Sequence, residues 1–598
     1  MQWQHQWTDS LIWIARTWLF AGIGMAATLA VVTRSTRWGR QFRELAGPYF
    51  TPRRSWRPLG ALALILLLAI SAVRLNVLLS YWNNGFYDSI QALNQPSFWF
   101  HMRLFALLAT LNVARVLVGY LVSQAFEIRW RTWFNERLTT DWLAGSAYYR
   151  TQFVAEPGDN PDQRIQVDAG SFVSASRALA FGAVDAVVSL VTFSLILWGL
   201  SGPIPIGGVE VPRAMVFLVY AYVLIASVLA FRLGRPLIRL SFMSEKLAAD
   251  FRYALIRLRE YAESVALYRG EAVETQGLAR RFAAYIVNLW AIVFRSLKFD
   301  GFNLAVSQGA VVFPFLLQAP RFFSGAIKLG DVMQTGQAFG QVQDALSFFR
   351  LSYDSFAQYR ATLDRLTGFL AANAASRALP RIAVDDTGSV LATEALSVRR
   401  PDAAVLVRAL TLQLQPGQAL LVQGPSGAGK TTLLRALAGL WPFADGTVRR
   451  PGGSHALFLP QKPYLPLGSL RLALNYPGTA DDDAALRAAL QRVQLAHLLP
   501  RLDDDTDWSR ILSLGEQQRL AFARVLLNRP RIAFLDEATS ATDEGLEHAL
   551  YTMLREDLPD CMLVSVGHRS TLAAHHTHRL TLQGEAGWRF EAIRPAAP

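Results

Sequence analysis

The sequence predicts a polytopic α-helical membrane half of about seven spans, followed by a soluble α/β domain built around a phosphate-binding loop. Three observations predict it. Apolar runs long enough to cross a bilayer recur through the first 370 residues and then stop. Charge divides at the same place: the chain carries a net +13, yet from Arg381 onward 23 basic residues balance 23 acidic ones. The third is the glycine-rich stretch GPSGAGKTT, Gly424–Thr432, set between a strand-like ALLVQ and a helix-like TTLLRALAGL.

A chain of 598 residues exceeds one ordinary domain, and 52% hydrophobic residues with 18% charged ones suit a protein partly in lipid. The expected division is a transmembrane domain over 1–370, a small polar linker over 371–390 and a soluble domain over 391–598. The basic residues flank apolar spans and form no single patch, so no nucleic-acid partner is expected. The single cysteine, Cys561, permits no intrachain disulfide and is expected in the core. The opening MQWQHQWTDS lacks Lys and Arg, so no secretory signal is expected.

The spans are expected near 11–33, 59–80, 103–123, 179–200, 214–232, 302–319 and 331–356. Segment 34–58 holds Arg34, Arg37, Arg40, Arg43, Arg53, Arg54 and Arg57, and the long connections 124–178 and 233–300 are also Arg-rich. The positive-inside rule places these in the cytoplasm, and seven spans then deliver the soluble domain to the same side. The last span is the most polar. Gln334, Gln337, Gln341 and Asp344 recur at helical spacing, and they are expected to line a hydrophilic pathway; interhelical hydrogen bonding is the competing reading. Arg74, Arg115 and Asp185 are further intramembrane charges, whose partners the sequence does not name.

In the soluble half, Gly424, Gly427 and Gly429, with Pro425, Ser426 and Ala428 between them, form a loop whose backbone N–H groups can wrap phosphates. The helix after it points its N-terminus at the anion. Lys430 is expected to neutralise the β- and γ-phosphates of ATP, and Thr431, followed by Thr432, to offer a hydroxyl to Mg²⁺. RIAFLDE is an apolar strand ending in two carboxylates: Asp536 for the metal, Glu537 to orient or deprotonate the attacking water. Gln461, in FLPQKPYLP, is expected at the metal and the water. His568, in VSVGHRS, is expected at the γ-phosphate.

The order GPSGAGKTT, FLPQKPYLP, LSLGEQQR, FLDEATSATD and SVGHR resembles the ATPase domain of ATP-binding cassette transporters. In the membrane half, YWNNGFYDSIQALNQPSFW, WLAGSAYYR with NPDQRIQVD, and FRYALIRLREYAESVALYRGEAVE resemble the SbmA/BacA-like transporters with a fused ATPase domain. They resemble the peroxisomal subfamily D transporters more loosely. The resemblance implies an exporter-like helix arrangement, with docking loops around Asn160–Arg164 and Arg257–Gly270. It implies that Ser513, Gly515 and Glu516 form a signature loop contacting the γ-phosphate held by another protomer, and that Asp543 lies on a loop crossing that interface. Because phosphate loop and signature loop of one domain belong to different sites, a C2 homodimer is expected. Leu514 stands where the family has Gly, Glu516 where Gln is commoner, and Arg399–Arg400 where an adenine-stacking aromatic is usual.

The expected function is ATP-hydrolysing transport of hydrophilic solutes such as peptides or cobalamin-like compounds. The expected direction is uptake, by a multi-pass protein in the lipid of a bacterial inner membrane with its ATPase domain cytoplasmic. The direction rests on resemblance alone. A lipid or fatty-acyl-CoA exporter or flippase is the alternative, and an ATP-gated channel or regulatory ATPase the second.

Overall fold

The computed structural model describes residues 3–51, 56–155, 160–206, 209–478, 482–584 and 586–593. It divides into two units: Met1–Ala144 with Gly158–Ala371, and Gly145–Pro157 with Ala372–Pro598.

The first unit is helical. Its main elements are α1 (Trp3–Ser35), α2 (Arg37–Ala46), α3 (Arg57–Gln91), α4 (Gln95–Leu143), α5 (Ala169–Leu200), α6 (Ala214–Glu260), α7 (Glu271–Phe323) and α8 (Leu329–Leu351). In hydrocarbon every backbone N–H and C=O must be satisfied within the segment, which long apolar stretches achieve only as helices. Side-chain caps mark the starts of α2 and α4: Thr36 accepts from Gly39 N, and Asn94 accepts from Ser97 N. Among the described residues, six helices are long and apolar enough to cross a membrane. The expected seventh span, α8, is not among these six.

Aromatic packing holds one end of this unit. Phe126, Trp130 and Phe134 of α4 bury against Phe172 of α5, with Tyr49 stacked on Trp130 at 5.8 Å. A second cluster joins Val73, Phe193, Val219 and Phe339 from α3, α5, α6 and α8.

The intramembrane charges have partners that the sequence did not name. Arg74, buried, donates to Ser10 Oγ at 2.9 Å and to Gln6 Oε1 at 3.3 Å, and lies over the Trp13 ring. Arg115 donates to Asn112 Oδ1 at 3.0 Å and is within electrostatic reach of Asp185. The N-terminal part of α8 is stitched to the end of α3. Asn84 donates to Gln334 Oε1 at 3.0 Å and to Asp331 Oδ1 at 2.9 Å, and Asn83 donates to Gln337 Oε1 at 3.2 Å.

The stripe on α8 therefore splits. Gln334 is buried beside Val332, Thr335, Ala338 and Phe339, and its carbonyl serves as interhelical glue. Gln337 and Gln341, on the same side of the helix within a turn or two, are partly exposed, and Asp344 is exposed.

The second unit has two main sheets and a short two-stranded pair, Gly468–Ser469 with Asp505–Thr506. Its elements are β1 (Ala383–Asp385), β2 (Thr387–Arg399), β3 (Val405–Leu414), β4 (Ala419–Gln423), α9 (Lys430–Leu437), β5 (Ala444–Pro451), β6 (Ala456–Leu459), α10 (Leu514–Asn528), β7 (Ile532–Asp536), α11 (Glu544–Asp557), β8 (Met562–Val566), β9 (His578–Leu582) and β10 (Trp588–Ala592). The larger sheet runs β10-β9-β4-β8-β7-β6; only the β9–β10 pair is antiparallel. Strands β4, β7 and β8 are buried almost throughout, as parallel strands covered on both faces must be. The smaller sheet runs β1-β5-β2-β3. A core of Leu396, Val407, Leu420, Leu433, Phe534 and Val564 joins the two sheets and α9. Cys561 is buried with the core on the other face, as expected.

Gly145–Pro157, which lies between membrane helices in the chain, is counted with this second unit for physical reasons. Arg150 is 2% exposed and donates to the carbonyls of Ser376, Leu379 and Pro380 at 3.0–3.1 Å. Phe153 packs edge-on against Trp441 at 5.1 Å and Phe443 at 5.9 Å. Arg164, in the expected docking stretch, pairs with Asp168, which also accepts from Arg365 at 2.7 Å within the first unit.

Candidate ATP-hydrolysis site

The parallel order β4-β8-β7-β6 brings four chain segments side by side at the carboxyl ends of the strands, where open α/β sheets bind ligands. The phosphate loop follows β4, His568 follows β8, Asp536 and Glu537 end β7, and Gln461 follows β6. Four motifs scattered over 145 residues of sequence thus become neighbours in space.

The loop has the backbone it needs. Gly424, Gly427 and Gly429 have φ of +148°, +81° and +93°. At Gly424 a Cβ would also meet Leu582 O at 2.7 Å, so both conformation and space demand glycine. Pro425, Ser426 and Gly427 are exposed at the loop's tip. Gly429 leads into α9, whose first residues are Lys430, Thr431 and Thr432. Lys430 Nζ donates to the carbonyls of Gly424 and Pro425 at 2.9 and 3.0 Å.

Thr431 Oγ1 donates to Asp536 Oδ1 at 3.1 Å. Burial pushes the Asp536 carboxyl above its ordinary range; the Thr431 hydrogen bond opposes this, and the neighbouring Glu537 charge adds to it. A hydroxyl and a carboxylate so placed fit a hard divalent cation. Glu537 lies between two side chains: Gln461 Nε2 donates to its Oε2 at 3.0 Å, and His568 Nε2 is 3.4 Å from its Oε1. Its φ of +49° is unusual for a residue with a Cβ. Such backbone strain clusters where a side chain must be aimed.

The signature residues form a second, separate cluster. Ser513 caps α10 in a reciprocal capping box. Its hydroxyl and its N–H donate to Glu516 Oε2 at 2.8 and 2.9 Å, and His497 Nε2 is 3.2 Å from Glu516 Oε1. Burial opposes ionisation of Glu516, yet the Ser513 bonds, His497 and the Arg519 charge together draw its carboxyl below the ordinary range. Gly515 is required because a Cβ would meet Ala541 O at 2.9 Å. Leu514 is 40% exposed. Asp543 caps α11 by accepting from Leu546 N at 2.8 Å. Among the described residues, Ser513 and Glu516 make no hydrogen bond to the phosphate loop.

Residues 45–323 match the family profile described as ABC transporter transmembrane region 2, and residues 407–540 that described as ABC transporter. The chain is 47% identical to an uncharacterized ABC transporter ATP-binding protein of Haemophilus influenzae, over 98% of its own length and 100% of the relative's. The chain belongs to the ATP-binding cassette transporters. This transporter is also 29% identical to the lysosomal cobalamin transporter ABCD4 of Homo sapiens, over 78% of its own length and 82% of the relative's, which relates it to subfamily D. Its fold resembles that of a bacterial Atm1-family ABC exporter with ATP bound, with a TM-score of 0.68 and 18% identity over 89% of this chain and 93% of that one.

As a member of this family the transporter couples ATP hydrolysis to movement across a membrane, and its site can be read in those terms. The phosphate loop and Lys430 suit the triphosphate, and Glu537 suits the water that attacks it. A divalent ion held by Thr431 and Asp536 would supply charge neutralisation on the phosphates. Arg399 and Arg400, at the end of β2, are paired with Asp445 and Asp402. Two buried groups had escaped notice in the sequence. Gln518 of α10 donates to Gln461 O and Ser540 Oγ, each at 3.0 Å, and accepts from Ala541 N at 3.0 Å. Glu547 of α11, only 2% exposed, joins the loop after Glu537 to the loop after His568. The available signal was a polar residue on the apolar face of each helix.

Proposed function

We propose that this transporter moves hydrophilic solutes, of the peptide or cobalamin-like kind, inward across a bacterial inner membrane. It does so as a C2 homodimer with two ATP–Mg²⁺ at the interface of its ATPase halves. The observation that carries the solute class is that Gln337, Gln341 and Asp344 of α8 remain accessible while Gln334 of the same stripe is buried. Amides and a carboxylate along a span suit a wet path and a polar cargo. The human relative named as a cobalamin transporter supports the same class. Resemblance to SbmA/BacA-like transporters supports uptake.

In this reading each hydrolytic cluster is completed by Ser513, Gly515 and Glu516 of the other copy. ATP draws the halves together and hydrolysis releases them, which alternates access to the path. Subfamily D kinship favours a second reading, a lipid or acyl-CoA exporter. Uptake of labelled cobalamin and of a hydrophilic peptide into proteoliposomes, wild type against Glu537→Gln, separates the two. ATP-dependent lipid translocation without uptake of either solute would overturn the first reading.

A further inference from the structure

Glu547 sits on α11, outside every nucleotide motif, yet its carboxylate holds two of their loops at once. Oε2 accepts from Thr539 Oγ1 at 2.6 Å, and Oε1 accepts from Thr571 Oγ1 at 3.0 Å. Arg569 Nη1 lies 3.5 Å from Oε2, and Arg569 Nη2 donates to Thr542 O at 2.8 Å. Thr539 and Thr542 belong to the stretch that runs from Glu537 to Asp543. Arg569 and Thr571 immediately follow His568.

Water cannot replace Thr539 at this carboxylate, since Glu547, Thr539 and Thr542 are 2%, 4% and 6% exposed, whereas Thr571 reaches it from an exposed position. A buried carboxylate stripped of its donors is strongly destabilised, so the two loops keep their places together or move together. Thr542 tightens the first loop further by donating from Oγ1 to Thr539 O at 2.9 Å.

We propose that Glu547 is a positioning residue for hydrolysis. It fixes the His568 loop relative to the loop that begins at Glu537 and ends at Asp543, so that His568 is aimed only when that loop is in register. The His568 end of this inference stands on ATP hydrolysis alone; the Asp543 end rests on the dimer reading above.

The test is steady-state ATP turnover of the full-length protein in nanodiscs. Glu547→Gln keeps the side chain's shape and removes its charge. We expect kcat to fall about tenfold, with KM for ATP within about twofold of wild type. The double variant Glu547→Gln/His568→Ala should turn over no slower than His568→Ala alone, because both changes act through one imidazole. Wild-type kcat in Glu547→Gln, or losses that multiply in the double variant, would overturn the proposal. Should Glu547→Gln fail to fold, Thr571→Val carries the same test. It leaves Glu547 with Thr539 and Arg569, and is expected to lower kcat about threefold, again without adding to His568→Ala. Failure here leaves the dimer and the solute class untouched, since neither enters this readout.

Discussion

Two glutamates near the nucleotide machinery, Glu537 and Glu516, are held in opposite ways. Glu537 receives side-chain groups from two other strands, Gln461 and His568, on a backbone with positive φ. Glu516 turns back on its own helix, closing a capping box on Ser513 and meeting His497 beyond it. The first is aimed outward by its surroundings, as a base must be. The second spends its oxygens on local structure and holds the Ser513 hydroxyl with them. Under the proposed homodimer, the first cluster would be one half of a site and the Ser513 loop of the other copy its completion.

The largest effect that can break this contrast is at Glu537. Glu537→Gln should lower ATP turnover by about 10²–10⁴-fold, while equilibrium binding of a fluorescent ATP analogue stays within a few-fold. Full turnover in this variant would remove Glu537 from the role of base. Next comes Ser513→Ala, expected to cost about tenfold in kcat through loss of one hydrogen bond to a charged group. Co-expressed with Lys430→Ala, it should regain activity above either variant alone, since one composite site is then intact; no regain would argue against shared sites.

Leu514→Gly, which restores the family's usual residue, should change kcat by about threefold or less and cost about 1 kcal/mol of helix stability, read by thermal melts. The smallest effect is on pH dependence at Glu516. Its folded carboxyl titrates below its unfolded value, so its stabilising contribution is complete above the ordinary glutamate range. That contribution is lost as pH falls through the folded value. Between neutral pH and about pH 4, wild type should therefore lose about 1–3 °C more in Tm than Glu516→Gln. Parallel melting curves would show that the capping box is not ionised.

What was legible in the sequence is what lies in contiguous strings. The phosphate loop, the paired carboxylates and the fold class follow from glycine spacing, an apolar strand ending in acid, and the length of the apolar runs. Gln461 and His568 were legible through order, and the sheet explains why: each follows a strand adjacent to one that carries a motif. Glu547 and Gln518 were not legible, because their meaning lies in partners brought from distant loops. Spacing put Gln334 and Gln337 on one helix, but not which edge faces Asn84. Leu514 remains without a contact that accounts for it.

The seat of Phe153 against Trp441 and Phe443, with Arg150 on the carbonyls of 376–380, has a consequence in time. A ribosome makes Phe153 long before it makes Trp441. At roughly 5–20 residues per second, the early segment waits about 15–60 s for the surface that receives it. For that interval an aromatic ring and a guanidinium destined for burial stand open to chaperones and proteases. A fragment beginning at residue 372, made without that segment, should leave the receiving surface bare. Such a fragment should aggregate more readily than one supplied with residues 145–157 as a peptide.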